Sequence, residues 1–144
     1  MRIVLDSSVV VAALTTPNTA SASRVVLAAA AAGAIQFVIT DEIEAEYRRA
    51  VEYQRVARYA AKVDRQAFVS MIVATADRVK AEPAIGVVPD DPGDDMVMGA
   101  AFAGRVEFVV SLDQHLLRLK KLRGIAIVKP GDLLREMRLH LLPE

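Results

Sequence analysis

Four short apolar runs punctuate the chain: "RIVL" at 2–5, "QFVI" at 36–39, "EFVV" at 107–110 and "IAIV" at 125–128. Runs of this length, rich in β-branched residues or Phe, are the mark of strands buried on both faces. A fifth, "IGVV" at 85–88, is weaker. Between them the spacing becomes helical. Residues 20–32 are nearly all Ala, Val and Leu, and Gly33 supplies a stop. Residues 42–61 are charged but keep an apolar stripe through Ile43, Tyr47, Ala50 and Val51, which predicts one helix over that span. A third helix is expected from about Asp64 to Arg78, and shorter ones over 94–103, 113–121 and 131–138. Strands alternating with helices require crossover connections. The expectation is an α/β fold in three layers, α/β/α, around a central, mainly parallel sheet of four to five strands. With no repeat and no low-complexity linker, residues 1–144 form a single domain.

Composition narrows the chemistry. At 53% hydrophobic and 25% charged, the chain fits a folded soluble protein rather than a disordered one. It has no cysteine, which excludes a disulfide framework, a zinc–thiolate site and a cysteine nucleophile. Lys+Arg and Asp+Glu both number 18, so attraction to nucleic acid must come from local clusters. The longest apolar run, 25–35, falls short of the roughly 20 residues of a membrane span. Asp6 interrupts a weak likeness to a signal peptide at the N-terminus. A cytoplasmic protein with no membrane contact is expected.

The residues that end each strand change the picture more. The endings are "VLDSS", "VITDE", "VVPDD", "VVSLD" and "VKPGD", an acid within four positions each time. In a parallel sheet all strand C-termini share one edge, where open α/β sheets bind their ligands. Asp6 and Asp113, distant in sequence, can converge there. Crowded carboxylates repel, and some take up protons unless a cation stabilises them. All-oxygen ligands select hard cations, so Mg²⁺ or Mn²⁺ is the expected cofactor. Each acid alone also reads as an ordinary helix N-cap. Ser111 or Asp113 suits that role in "SLDQHLL", and Asp90 and Asp91 suit a turn between Pro89 and Pro92. Asp94 and Asp95 open a helix whose apolar face includes Val97, Met98, Ala101 and Phe102. Glu42 and Glu46 lie one turn apart, and Glu46 is within reach of Arg49.

Taken together, these segments resemble the PIN domain, the metal-dependent nuclease fold of many VapC-like toxins of toxin–antitoxin pairs. "VLDSSVVVAAL" resembles its first strand and Asp-Thr-Asn-Val type motif. "FVITDEIEAEYRRAV" is similar to the second strand and its Glu-bearing helix, with Glu46 as the glutamate. "DDPGDDMVMGAA" resembles the third acidic motif at Asp94, with Asp95 beside it, and "VEFVVSLDQHLLRL" the fourth, with Ser111 and Asp113. "GIAIVKPGDLLREM" is similar to the closing strand and helix. The likeness runs nearly the whole chain in the right order. Two positions depart: Ser7-Ser8 stands for Thr-Asn, and His115 stands where a further aspartate is common.

The resemblance implies an endoribonuclease in which Asp6, Glu46, Asp94 and Asp113 hold one or two Mg²⁺ or Mn²⁺ ions, with Asp95 close by. Ser7, Ser8 and Ser111 would position water or a ligand carboxylate, and His115 and His140 need no role as a base. RNA is the implied substrate, leaving a 5′-phosphate, and a cognate antitoxin and a second copy of the chain are the implied partners. For the RNA backbone, "RLKKLR" offers Arg118, Lys120, Lys121 and Arg123 on what reads as one helix after Asp113. Arg48, Arg49, Arg55, Arg58, Lys62 and Arg65 form a second basic stretch. Aromatics at 5% make base stacking a weak source of readout.

Three other readings leave traces. "IVKPGDLL" is similar to the Lys-Pro after the last strand of receiver domains, but Asp41 falls one residue late for their phosphoacceptor. A haloacid-dehalogenase-like phosphatase wants an aspartate where Ser8 stands. A PIN-like fold kept as a binding module would be expected to have lost one of the four acids, and none is lost.

Overall fold

The structure is a computed structural model and describes residues 1–82 and 92–141. The weaker run at 85–88, Asp90, Asp91 and the side chain of His140 lie outside the described residues. The four strong runs all form strands: β1 (Arg2–Leu5), β2 (Gln36–Ile39), β4 (Phe108–Val110) and β6 (Ile125–Val128). Two-residue strands β3 (Asp77–Arg78) and β5 (Lys121–Leu122) extend the sheet at its edges, giving the order β3-β2-β1-β4-β6-β5. All neighbours run parallel except the β5–β6 pair. Ile3, Val4 and Leu5 of β1 are fully buried, opposite Phe108, Val109 and Val110 in register.

The helices arise from the same pattern: α1 (Ser7–Thr15), α2 (Ala22–Ala31), α3 (Asp41–Ala50), α4 (Gln54–Ala57), α5 (Lys62–Val73), α6 (Pro92–Ala103), α7 (Gln114–Leu117) and α8 (Pro130–Leu141). The crossovers through α1–α2 and α3–α5 step the same way along the sheet. The return through α6 steps back across β1 to β4. Because parallel crossovers are right-handed, this return places α6 on the opposite face. There α6 packs against β1, β2 and β4. Its end lies so close that a Cβ on Gly104 would meet Val38 Cγ1 at 2.6 Å.

Three helices differ from expectation. The single helix expected over 42–61 breaks after Ala50. Continuing the buried stripe of Tyr47 and Val51 would bring Gln54 and Arg58 inward, so the chain turns and restarts, burying Val56 instead. The third helix ends at Val73 rather than Arg78. Asp77 and Arg78 pair with Val38 and Ile39, and Arg78 binds Asp41 at 2.7 Å and Glu44. The helix after Asp113 stops at Leu117, so "RLKKLR" is not one helix face. Lys120 adopts φ 58°, and Lys121–Leu122 form a hairpin with β6. Its two-residue turn, Arg123 (φ 49°) and Gly124 (φ 83°), has the left-handed pair of angles that tight hairpins favour.

Candidate metal centre

Asp6 stands at the C-terminal edge of the central strand, in the N-cap position of α1, yet its carboxylate makes no cap bond. Its Oδ2 instead accepts from Ser8 Oγ at 2.6 Å and Ser111 Oγ at 2.8 Å. Ser111, fully buried after β4, also accepts the Asp113 N–H at 2.9 Å, and Ser8 accepts the Leu112 N–H at 3.0 Å. Each serine therefore receives a backbone proton and turns its own hydroxyl proton to Asp6. These bonds tie the end of β1 to the end of β4. Burial raises the Asp6 pKa above its ordinary 3.8, the two hydroxyl bonds oppose the rise, and the charge of Asp113 adds to it.

Tyr47 closes the site from below. Its hydroxyl, fully buried on α3, donates to the Leu5 carbonyl. Carbonyls alternate sides along a parallel strand: Met1 O takes the Gln36 N–H toward β2, and Arg2 O takes the Glu107 N–H toward β4. Leu5 O thus turns toward β2, and Tyr47 supplies a donor where the β1–β2 pairing has ended. Burial pushes the phenol pKa well above 10, with the Asp6 charge adding to it. Tyr47→Phe should lower stability by about 1–3 kcal/mol, the cost of a buried acceptor left without its donor. Chemical denaturation measures it, and an unchanged midpoint would contradict this role for the hydroxyl.

A cleft of about 540 Å³ opens over this edge, and Asp6, Ser7, Ser8, Glu46, Tyr47, Asp94 and Asp113 share its lining with Tyr53 and Arg55. The sequence-derived acids Asp6, Glu46, Asp94 and Asp113 therefore meet in one space. Asp6 and Asp94 are 6% and 5% exposed. Asp95 is 8% exposed and is not among the lining residues. Glu46 also pairs with Arg49 at 2.9 Å, as its spacing suggested, and Asp113 caps α7 through the His115 N–H at 2.9 Å. Among the described residues, none of Arg118, Lys120, Lys121 and Arg123 lines the cleft. All four are at least partly exposed, and the Arg123 guanidinium lies 4.6 Å over the Phe102 ring.

The donor set fits a divalent cation. Asp94, Asp113 and His115 each bring one ligand atom into a group in which all lie within 4.8 Å of one another. Ligands at about 2.1 Å from a six-coordinate ion are at most about 4.2 Å apart, so small side-chain adjustments suffice. The resemblance marked position 115 as one where a further aspartate is common, and here the histidine at that position joins the group. Its Nδ1 lies 3.6 Å from Asp113 Oδ1, and its approach to Asp94 depends on how α6 and α7 pack.

Known proteins share this arrangement of strands and helices. A family model described as "PIN domain" matches residues 2–115. The VapBC2 structure from Rickettsia felis, bound to a DNA fragment from its promoter, superposes with a TM-score of 0.60 at 13% identity. It covers 88% of this chain and 97% of that one. PAE2754 from Pyrobaculum aerophilum gives 0.57 at 14% identity, over 96% and 90% of the two chains. At such identities the likeness is one of fold. No curated protein sequence matches.

Proposed function

Because the chain belongs to the PIN-domain family, we propose that it is a metal-dependent endoribonuclease and the toxin of a toxin–antitoxin pair. The observation that carries the reading is the meeting of Asp6, Glu46, Asp94 and Asp113 from separate parts of the chain in one cleft, with Asp6 and Asp94 buried. Carboxylates gathered in one space repel one another, and a bound cation relieves that repulsion. Mg²⁺ or Mn²⁺ suits the oxygen-rich set. Asp94 and Asp113 would hold the ion with His115, while Asp6 and Glu46 would act directly or through water. Asp95 would act through its neighbour.

A divalent ion so held acidifies the water it binds from a pKa of about 16 toward neutrality and neutralises charge on phosphoryl oxygens. The chain's own residues do the positioning. Ser8 and Ser111 fix the orientation of the Asp6 carboxylate, Ser7 faces the same space, and Tyr47 fixes the strand end that carries it. Arg118, Lys120, Lys121 and Arg123 would hold the RNA backbone farther from the acids. An antitoxin that covers the cleft would need a cation to replace the metal, and an Arg among the carboxylates is the natural choice. A homodimer would use the face of α2 and α5, where Val25 and Met71 are exposed; sedimentation tests it by the mass of the species. Among the described residues no helix is long and apolar enough to cross a membrane, and the cytoplasm, where RNA is available, is the proposed compartment.

The imidazole of His115 sets a metal preference. Nitrogen ligands suit Mn²⁺ better than Mg²⁺, which favours oxygen. His115→Asp should therefore shift the ratio of Mn²⁺- to Mg²⁺-supported cleavage toward Mg²⁺ by about tenfold, within the range for altered metal surroundings. An unchanged ratio would remove His115 from the ligand set. The reading as a whole is tested by incubating purified protein with a mixed RNA pool and mapping the ends. Cleavage that leaves 5′-phosphates and stops with EDTA supports it. No cleavage with either metal favours a PIN fold kept for binding.

A further inference from the structure

Two of the three tyrosines stand exposed on one short segment, Tyr53 at 46% and Tyr59 at 49%. The same stretch, 53–63, carries Arg55, Arg58 and Lys62 and no acid. Arg55 lies 5.9 Å over the Tyr53 ring and Arg58 5.3 Å over that of Tyr59. Packing does not explain the rings, because α4 is anchored by Val56, which is fully buried. From beneath, the buried Arg65 donates to the carbonyls of Ala57, at 2.9 Å, and Ala60, and pairs with Glu52 at 2.9 Å. The segment is thus held in place while its aromatic and cationic groups face outward. Tyr53 and Arg55 also line the acidic cleft.

A cleft floored with carboxylates repels a polyanion, so a substrate needs purchase at the rim. Base–aromatic stacking supplies it without charge, and is open to bases outside a duplex. We infer that Tyr53, backed by Arg55, is a stacking shelf for one unpaired base of single-stranded RNA, beside the phosphate presented to the acids, with Arg55 holding an adjacent phosphate. Arg58 and Tyr59 continue the track. The inference rests on the nuclease reading and deepens it, naming Tyr53 as a positioning residue for one unpaired base.

The test is binding of a short labelled single-stranded RNA and its duplex, read by anisotropy with Ca²⁺ in place of Mg²⁺ or Mn²⁺. Tyr53→Ala should weaken single-strand binding by about 5–150-fold, the equivalent of losing one stacked base, while Tyr53→Phe stays near wild type. Duplex binding should not distinguish the variants, and unfolding midpoints should agree, since the ring is half exposed. The chain has no tryptophan, so Tyr53→Trp adds a lone reporter. Its emission should be quenched by the single strand and not by an abasic strand of equal length. Wild-type protein that binds and cleaves, with Tyr53→Ala doing both equally well, overturns the shelf alone. Tyr53-dependent binding without cleavage in Mn²⁺ keeps the shelf and removes the nuclease. Wild-type protein that binds neither strand overturns both.

Discussion

Asp94→Asn is expected to lower the proposed metal-dependent RNA cleavage by more than about 100-fold in a protein that circular dichroism shows to be folded. The carboxylate is buried at the start of α6, in the group with Asp113 and His115. An amide keeps its shape and one acceptor oxygen but removes the charge that attracts a dication. Residues that only orient metal ligands are worth about 10–100-fold, so loss of a ligand should cost more than about 100-fold in turnover. Cleavage rates over a range of Mn²⁺ concentrations check the prediction. Activity within a few-fold of wild type at saturating Mn²⁺ would take Asp94 out of the site.

Asp6→Asn should show opposite signs in two measurements. Cleavage should fall by a similar factor, but the metal-free protein should become more stable. Burial is the largest cause of the raised Asp6 pKa, so folding disfavours the ionised form. With the folded value above the unfolded one, Asp6 favours the native state while protonated. That benefit is lost as pH rises from the ordinary 3.8 through the raised value. At neutral pH the ionised group is a net cost. The asparagine amide removes it and can still bond Ser8 and Ser111 by rotating a hydroxyl. A gain on the order of 1 kcal/mol is expected, or about 2–4 °C in Tm for a domain of this size. The stability difference between variant and wild type, followed in EDTA from pH 4 to 8, should grow with pH. Mn²⁺ should stabilise the wild type and reverse the order, because it binds the native state of the intact site. A variant less stable than wild type in EDTA would show that the hydrogen bonds of Asp6 outweigh its desolvation.

The parts of the fold legible in the sequence are those set by long-enough patterns. Four apolar runs specify β1, β2, β4 and β6, and their parallel order follows from the helices between them. That order alone puts Asp6, Ser111 and the acid-bearing helices at one edge. The short elements left no such trace. Two-residue strands have no periodicity, and neither a Pro nor a Gly marks the break after Ala50 or the end of α5 at Val73. Tertiary contacts decide both: Val56 sinks into the core, and Arg78 reaches Asp41 and Glu44 across the sheet. The β5–β6 turn did carry a signal in Arg123-Gly124, masked by the helical spacing of the leucines before it. Within the cleft, the apolar stripe of α3 identified Tyr47 as buried but not its bond to Leu5. The approach of His115 to Asp94, and the placing of Tyr53 and Arg55 at the rim, depend on packing between elements remote in sequence. No local pattern encodes those distances.

The proposed nuclease chemistry would depend on a divalent ion held among the acids of this cleft. The most direct measurement is anomalous X-ray scattering from crystals grown with Mn²⁺, collected at the manganese edge. A peak is expected in the cleft within bonding distance of Asp94 and Asp113, next to His115, and should be lost in Asp94→Asn crystals. A map with no peak there at saturating Mn²⁺, or with the ion bound only elsewhere on the molecule, would contradict a metal centre at these residues.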